Sequence, residues 1–431
     1  MNILVLTRSA WRNDNNIGNT MSSIFDSFRG EKIYSMCFRS ETPQNDIALK
    51  NFCISEKQII SYFKNGKDLG YITEAINYTS ITGTDQIIEQ QVYNCAKKYN
   101  LMALWFLREL LWLIAPWKND KLCRYIDDIK PDIVFMPVFG CWYPHEALHY
   151  IKEHTGAKIV LFHADDNYTM RQFSILPSYW IYRFILRKWI RKSVEISDIN
   201  YAISNIQKVE YENNFKREFK ILYKGNKFMN MPEYDLSSGK IKMVFTGNIS
   251  SGRYKTLAQI GKILTLINSD LKIIELDIYT FTPLTKKMRN ALNWPCINLK
   301  GGCAAEKVAE IQCNADLLVH VESFDLKNRL AVHQSFSTKI VDYFHQAKCI
   351  FAVGPADVAS MDYLIKNDAA LTATNEAEIE GTLRKIIDNK SILAEYGKKA
   401  WECGKRNHQI DRIQDMLYND FKELLNEDCA D

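Results

Sequence analysis

One rhythm constrains this chain more than any other feature. Short apolar runs close on small or polar residues, a helical stretch follows, and the pattern occurs twice. In the first half the runs are Ile3 to Leu6, Ile33 to Phe38, Pro131 to Pro137, Lys158 to His163 and Asp198 to Ser204. They are nearly continuous in apolar residues rather than alternating, as strands covered on both faces require. Residues 85–115 read as helical, and the Asn-rich stretch Ser9 to Asn19, with Gly18, reads as a loop. The polar segment 224–240, with Pro232 and Ser237-Ser238-Gly239, reads as a linker. The rhythm then restarts, with strands expected at Lys242 to Phe245, Ile273 to Tyr279, Ala315 to Val321 and Cys349 to Val353, and a helix at 254–268. The expected class is therefore α/β, with two Rossmann-like domains. The expected boundaries are 1–223, a linker at 224–240, 241–405, and a terminal helical segment at 406–431.

Composition removes several classes of function. The chain has 431 residues and a formal net charge of +4, too small to argue for a nucleic-acid partner. Its 11 cysteines are scattered, none nearer to another than Cys296 to Cys303, so no CxxC pattern exists. Such cysteines suit a reducing compartment, and a cytoplasmic location is expected. The longest apolar stretch, Leu101 to Trp117, is broken by Arg108 and Glu109 and is short of a membrane span. It reads as a buried or interfacial helix.

The chain lacks GxGxxG, GxxxxGK[ST] and Asp-Xaa-Asp. A dehydrogenase, a P-loop NTPase and a metal-bound nucleotide-sugar site of the Asp-Xaa-Asp type are disfavoured. His145-Glu146-Ala147-Leu148-His149 matches H-E-x-x-H, which on a helix could hold zinc. No third ligand follows at the required spacing, so a crossover helix of the sheet is the better reading.

Four clusters carry more weight. His163 and Asp165 end an expected strand, the edge where open α/β sheets bind ligands, and either could take a proton from a hydroxyl. Gly247, Asn248, the Ser250-Ser251-Gly252 loop, Arg253 and Lys255 join a strand to a helix; backbone N–H groups and two cations there suit a diphosphate. Ser337, Thr338 and Lys339 open a second helix, with Asp342 one turn in. The stretch Tyr179 to Lys192 repeats Arg183, Arg187 and Arg191 every four residues among aromatics, together with Lys188 and Lys192. Such a helix could rest on an anionic membrane surface.

The order of these motifs, with Ile297 to Gly302 and Ala315 to Val321, resembles the donor domain of GT-B glycosyltransferases. The nearest group is the bacterial glycosyl transferase group 1 type that builds surface polysaccharides, capsule among them. The counterparts are Gly247 with Arg253 and Lys255, Gly301 with Asp316, Ser337-Thr338-Lys339 with Asp342-Tyr343, and Gly354-Pro355. The resemblance covers about 240–405. It implies two domains facing a central cleft and a terminal helix crossing back to the first. It also implies a nucleotide-sugar donor held by Gly247, Asn248, Arg253, Lys255, Gly301, Glu322, Ser337, Thr338, Lys339 and Asp342. No metal or other cofactor is implied. Asp165 or His163 would face the acceptor hydroxyl or the transferring sugar, Arg253 and Lys255 the departing diphosphate, and Asn16, Gly18 and Asn19 a glycan or lipid-linked acceptor. One departure stands out: the two glutamates usual in retaining members fall here on Gln334 and Asp342, with Glu322 upstream as a possible substitute. Stereochemistry is open, as are a catalytically decayed sugar-nucleotide-binding protein and an epimerase of the same fold.

Overall fold

The computed structural model describes residues 1–12, 16–28, 30–74, 102–233, 239–268 and 273–426. Two compact units emerge, one built from Met1–Met170, Ser174–Leu222 and Ile413 onward, the other holding Tyr223–Arg412.

The first unit is an eight-stranded sheet. Its strands are β1 (Asn2–Thr7), β2 (Lys32–Cys37), β3 (Lys50–Cys53), β4 (Tyr71–Glu74), β5 (Ile133–Pro137), β6 (Lys158–His163), β7 (Ile199–Ala202) and β8 (Lys220–Ile221). They lie in the order β4-β3-β2-β1-β5-β6-β7-β8. All neighbours are parallel except β3 with β4. Strand order reverses between β1 and β5, so the switch point lies there. The central strands are buried along their length, which explains their unbroken apolar sequence. Strands β3, β4 and the two-residue β8 add to the expected set.

The helix Met102–Ile114 covers part of this sheet. The portion 85–101 of the expected helix lies outside the described residues. Met102 and Trp112 face inward, whereas Leu107, Leu110, Leu113 and Ile114 are each more than half exposed. Among the described residues no helix is long and apolar enough to cross a membrane. The stretch read as a loop from Ser9 to Asn19 already contains the start of a helix, Asn16–Phe25.

The second unit is a six-stranded, wholly parallel sheet. Its strands are β9 (Ile241–Thr246), β10 (Ile274–Tyr279), β11 (Ile297–Gly301), β12 (Leu317–Val321), β13 (Cys349–Val353) and β14 (Leu371–Ala373), in the order β11-β10-β9-β12-β13-β14. The start of the segment read as a linker belongs to this unit and is packed. Phe228 stacks edge-on to Trp401, and the Lys224 carbonyl lies 3.0 Å from His408 Nδ1.

The helix Ile410–Asn426 begins in the second unit, but from Ile413 on its residues belong to the first. Phe421 is fully buried among Phe25, Phe28 and Phe135. Tyr201 donates to Asp420, and Lys220 pairs with the same carboxylate at 2.6 Å.

Candidate functional site

The second unit gathers its polar groups at the carboxyl ends of β9 and β12. Strand β9 stops at Gly247, whose φ of 135° no ordinary side chain adopts readily. A Cβ there would lie 2.6 Å from the Lys339 ammonium, so the glycine lets that cation approach the backbone. Asn248 Oδ1 accepts from the Ser250 amide at 2.6 Å and shapes the loop. Gly252 (φ 78°) then leads into the helix Arg253–Ile267.

Arg253, the first residue of that helix, makes a two-point contact with Glu322: Nε to Oε2 at 3.0 Å and Nη2 to Oε1 at 2.9 Å. Glu322 directly follows β12 and is almost fully buried. The contact engages two of the five guanidinium N–H donors and fixes the fork, leaving three for an oxyanion. Lys339 is partly buried. Its ammonium sits 4.4 Å from the Phe245 ring centre and donates to the Thr246 carbonyl at 3.3 Å. Burial, aided by the positive charge of Arg253, pulls its pKa down to about 7. His320 Nε2 lies 3.7 Å from Glu322 Oε1, and burial holds that imidazole well below its ordinary pKa.

Other residues expected at a donor site sit differently. Lys255 pairs with Asp325 at 2.7 Å on the surface, so Lys339, not Lys255, is the cation beside Gly247 and Arg253. Asp342, expected to meet ribose hydroxyls, is paired with Lys224 at 2.8 Å. The Ser337 amide donates to Ser360 Oγ at 2.9 Å, and Thr338 provides no side-chain cap. Gly301 (φ 79°) ends the edge strand β11, with open space around it. Gln334, at the position of the usual first glutamate, is buried, and Glu322 is the carboxylate that meets Arg253. Tyr343, part of the motif but given no role there, donates its hydroxyl to the Val319 carbonyl at 3.2 Å and so ties the helix Lys339–His345 to β12.

The first unit has its own concavity, of about 480 Å³, at the carboxyl ends of β1, β2, β5 and β6. Arg8, Arg39, Trp105, Gly140, Asp165, Asn167, Tyr179, Tyr182 and Arg183 are among its walls. Glu109 explains the Arg108-Glu109 break in an otherwise apolar helix. Its carboxylate is fully buried and accepts from Arg108 (2.6 Å), the Tyr182 hydroxyl (2.7 Å) and the Trp142 and Tyr143 amides (3.2 and 3.3 Å). That network fixes the wall carrying Tyr182.

Of the two candidate bases only Asp165 lines this cavity. His163 is completely buried in a cage of Tyr211, Phe215 and Phe219. Burial lowers its pKa to about 3, so it is a neutral core residue and not an acceptor contact. Of the expected acceptor residues, Gly18 and Asn19 are not among the walls of this cavity. Gly18 is a packing residue, since a Cβ there would lie 2.0 Å from the Arg12 carbonyl oxygen. Asn19 is an exposed helical residue, and the Asn16 side chain lies outside the described residues.

Two further sequence motifs resolve as structure. His145 is fully buried, its Nδ1 2.9 Å from Ser193 Oγ and its Nε2 3.3 Å from the Phe139 carbonyl; burial takes its pKa to about 4. Glu146 pairs with Lys118. Among the described residues no group of three or more His, Cys, Asp or Glu could hold a metal ion. In the helix Pro177–Glu195 the arginines are not a solvated stripe. Arg183 is buried on Asp166 and the Thr169 carbonyl, and Arg187 lies over the Tyr168 ring with Arg191 on the Tyr168 hydroxyl. Lys188 and Lys192 are exposed, and so is Arg191 despite its contact with Tyr168.

A mostly parallel eight-stranded sheet, a parallel six-stranded sheet and a terminal helix returning to the first match the GT-B glycosyltransferase fold. Solved structures agree with it. HepE from Anabaena, in complex with UDP, superposes at a TM-score of 0.65 with 11% identity, over 98% of this chain and 100% of that one. HepE has also been solved with UDP-glucose. WaaG, a glycosyltransferase involved in lipopolysaccharide biosynthesis, gives 0.57 at 10% identity, over 96% and 99%. Sucrose-phosphate synthase from Thermosynechococcus elongatus gives 0.63 at 9% identity, over 99% and 100%. No protein-family model matches the chain. No curated protein matches it in sequence.

Proposed function

We propose that this protein is a glycosyltransferase that moves a sugar from a uridine diphosphate sugar to a glycan or lipid-linked acceptor in cell-surface polysaccharide synthesis. One observation carries the reading. On a GT-B scaffold, a fixed guanidinium (Arg253) and a partly buried ammonium (Lys339) converge beside a glycine-ended strand. In the reaction the bond between the anomeric carbon and the diphosphate oxygen breaks, and a bond to the acceptor oxygen forms. Arg253 and Lys339 balance the negative charge that builds on the departing diphosphate. Positioned cations of this kind do the work without a bound metal. Asp165 takes the acceptor proton. The exposed Lys188 and Lys192, together with the exposed leucines of Met102–Ile114, support peripheral contact with an anionic membrane surface.

The test is calorimetric titration with UDP, followed by an assay for sugar release and transfer across a panel of UDP-sugars in the presence of EDTA. UDP binding that depends on Arg253, with EDTA-resistant turnover, supports the proposal. Binding without turnover of any donor would favour the decayed-site reading that Gln334 motivates.

A further inference from the structure

We infer that Cys37 and Cys53 are a redox pair: two thiols that a peroxide converts to a disulfide bridging β2 and β3, and that a thiol reductant restores. The two lie 16 positions apart in the chain, and the fold brings them together. Cys37 ends β2 and Cys53 ends β3. The strands are parallel neighbours with these two residues in register. Such neighbours stand about 4.7–4.9 Å apart, inside the Cα separation of roughly 4.4–6.8 Å that a disulfide spans. Residues in register share a face of the sheet, and the two sulfurs are 2.9 Å apart. Closing a bond of about 2.05 Å needs a side-chain shift of less than about 1 Å and no movement of the strands.

The surroundings suit the exchange. Cys123, Cys296 and Cys349 meet the oxygens of Tyr150, Thr265 and Ile350, whereas Cys37 and Cys53 meet each other. With Ala10 they form a small apolar cluster separate from the main core of the first unit, and Tyr71 packs against it. Tyr71 lies opposite Cys53 on β4, the four-residue antiparallel strand at the edge of the sheet. Both thiols are buried, so an oxidant reaches them when this edge opens locally, and a small peroxide passes most easily. The hydrogen bond to Cys53, together with burial, pushes the Cys37 thiol well above its ordinary pKa. The pair therefore rests protonated and reduced until an oxidant is supplied. One sulfur, as its thiolate, then attacks a peroxide oxygen; the O–O bond breaks, one water leaves and a sulfenic acid remains. The second sulfur attacks that acid, the S–S bond forms, the S–O bond breaks and a second water leaves. Two thiols lose two electrons and two protons, and the peroxide becomes two waters. The bond braces one wall of the cavity. Arg39, two residues past Cys37, is among the cavity walls, and Ser55, two residues past Cys53, caps the helix Glu56–Asn65. The Ser40 and Ser55 hydroxyls already meet at 2.5 Å, and the disulfide adds a covalent tie next to that contact. Oxidation thus stiffens the segment 38–55.

The full chain is reduced with dithiothreitol, desalted and treated with a small molar excess of hydrogen peroxide. Remaining thiols are alkylated in urea, and the chain is cut with trypsin. The expected product joins peptides 33–39 and 51–57 through one disulfide, and dithiothreitol separates them. Closing a loop of about 17 residues should raise the melting temperature of the oxidised chain by about 5–10 °C, reversed by the reductant. Cys37→Ala and Cys53→Ala should each abolish both effects. The bridge is read on the parent chain, so a variant that folds poorly does not obscure the result. The inference is overturned if both peptides are recovered only in alkylated form, or if the bridge appears only when peroxide meets the urea-unfolded chain. Oxidation that stops at a sulfinic or sulfonic acid, which dithiothreitol does not reverse, overturns it as well. A bridge that leaves the melting temperature unchanged overturns the brace.

Discussion

The Lys339 ammonium should make UDP binding take up a proton. In the unliganded chain its pKa is about 7, because the group is buried and Arg253 adds like charge. A diphosphate beside it reverses the balance and favours the charged form. The sign follows. At pH 8 about one tenth of the unliganded molecules carry the charge, and in the complex nearly all do, so binding absorbs about 0.9 proton per chain. Affinity should hold below pH 7 and fall as pH rises, by about tenfold between pH 8 and 9, or ~1.4 kcal/mol. The charged groups acting on Lys339 are Arg253 and Glu322, and the titratable His320 beside them is neutral. Calorimetry in two buffers of different ionisation enthalpy reads the uptake directly. Lys339→Arg, charged throughout, should bind without it. No net proton exchange at pH 8, with affinity constant from pH 7.5 to 9, would refute the placement of the diphosphate beside this lysine.

Arg253→Gln should weaken UDP binding by roughly 1.5–3 kcal/mol, seen in the same titration, and should also lower stability because Glu322 is left buried without its partner. Turnover should persist in EDTA, and elemental analysis should find no stoichiometric zinc even in the parent, since His145 is committed to Ser193 and the Phe139 carbonyl. Phe421→Ala should cost about 3–5 kcal/mol in the first unit, measured by the urea midpoint of its tryptophan signal. Anionic vesicles should pellet the protein at low salt. Lys188→Glu with Lys192→Glu should reduce this, at about 1 kcal/mol per charge near the surface; equal pelleting of variant and parent would refute membrane contact.

Strands such as β1, β5, β6, β9 and β13 were legible because burial on both faces forces unbroken apolar runs, and turn residues mark their ends. Strand β3 was hidden for the opposite reason. Lys50-Asn51-Phe52-Cys53 looks polar, yet Asn51 is fully buried and is satisfied by the Ser35 hydroxyl on the neighbouring strand. The site was legible only as separate pieces. The Gly247–Arg253 loop announces itself, but Glu322 lies 69 residues further on, and only folding makes it the partner of Arg253. The arginines of Pro177–Glu195 misled for a related reason. Spacing shows that they share a helix face, not that Asp166 and Tyr168 wait beneath it.

The return of Ile413 and later residues to the first unit has a consequence for biosynthesis. A ribosome that has made all eight strands of the first sheet has still not made the side chain that closes it. Until Phe421 emerges, Phe25, Phe28 and Phe135 lack their cover. The second unit, made of Arg171–Phe173 and Tyr223–Arg412, needs no residue beyond Arg412 and can complete its core earlier in synthesis than the first. Nascent chains arrested before residue 413 should therefore expose an aromatic surface that chaperones bind, and a protease should find the amino-terminal half of such chains before the carboxyl-terminal half.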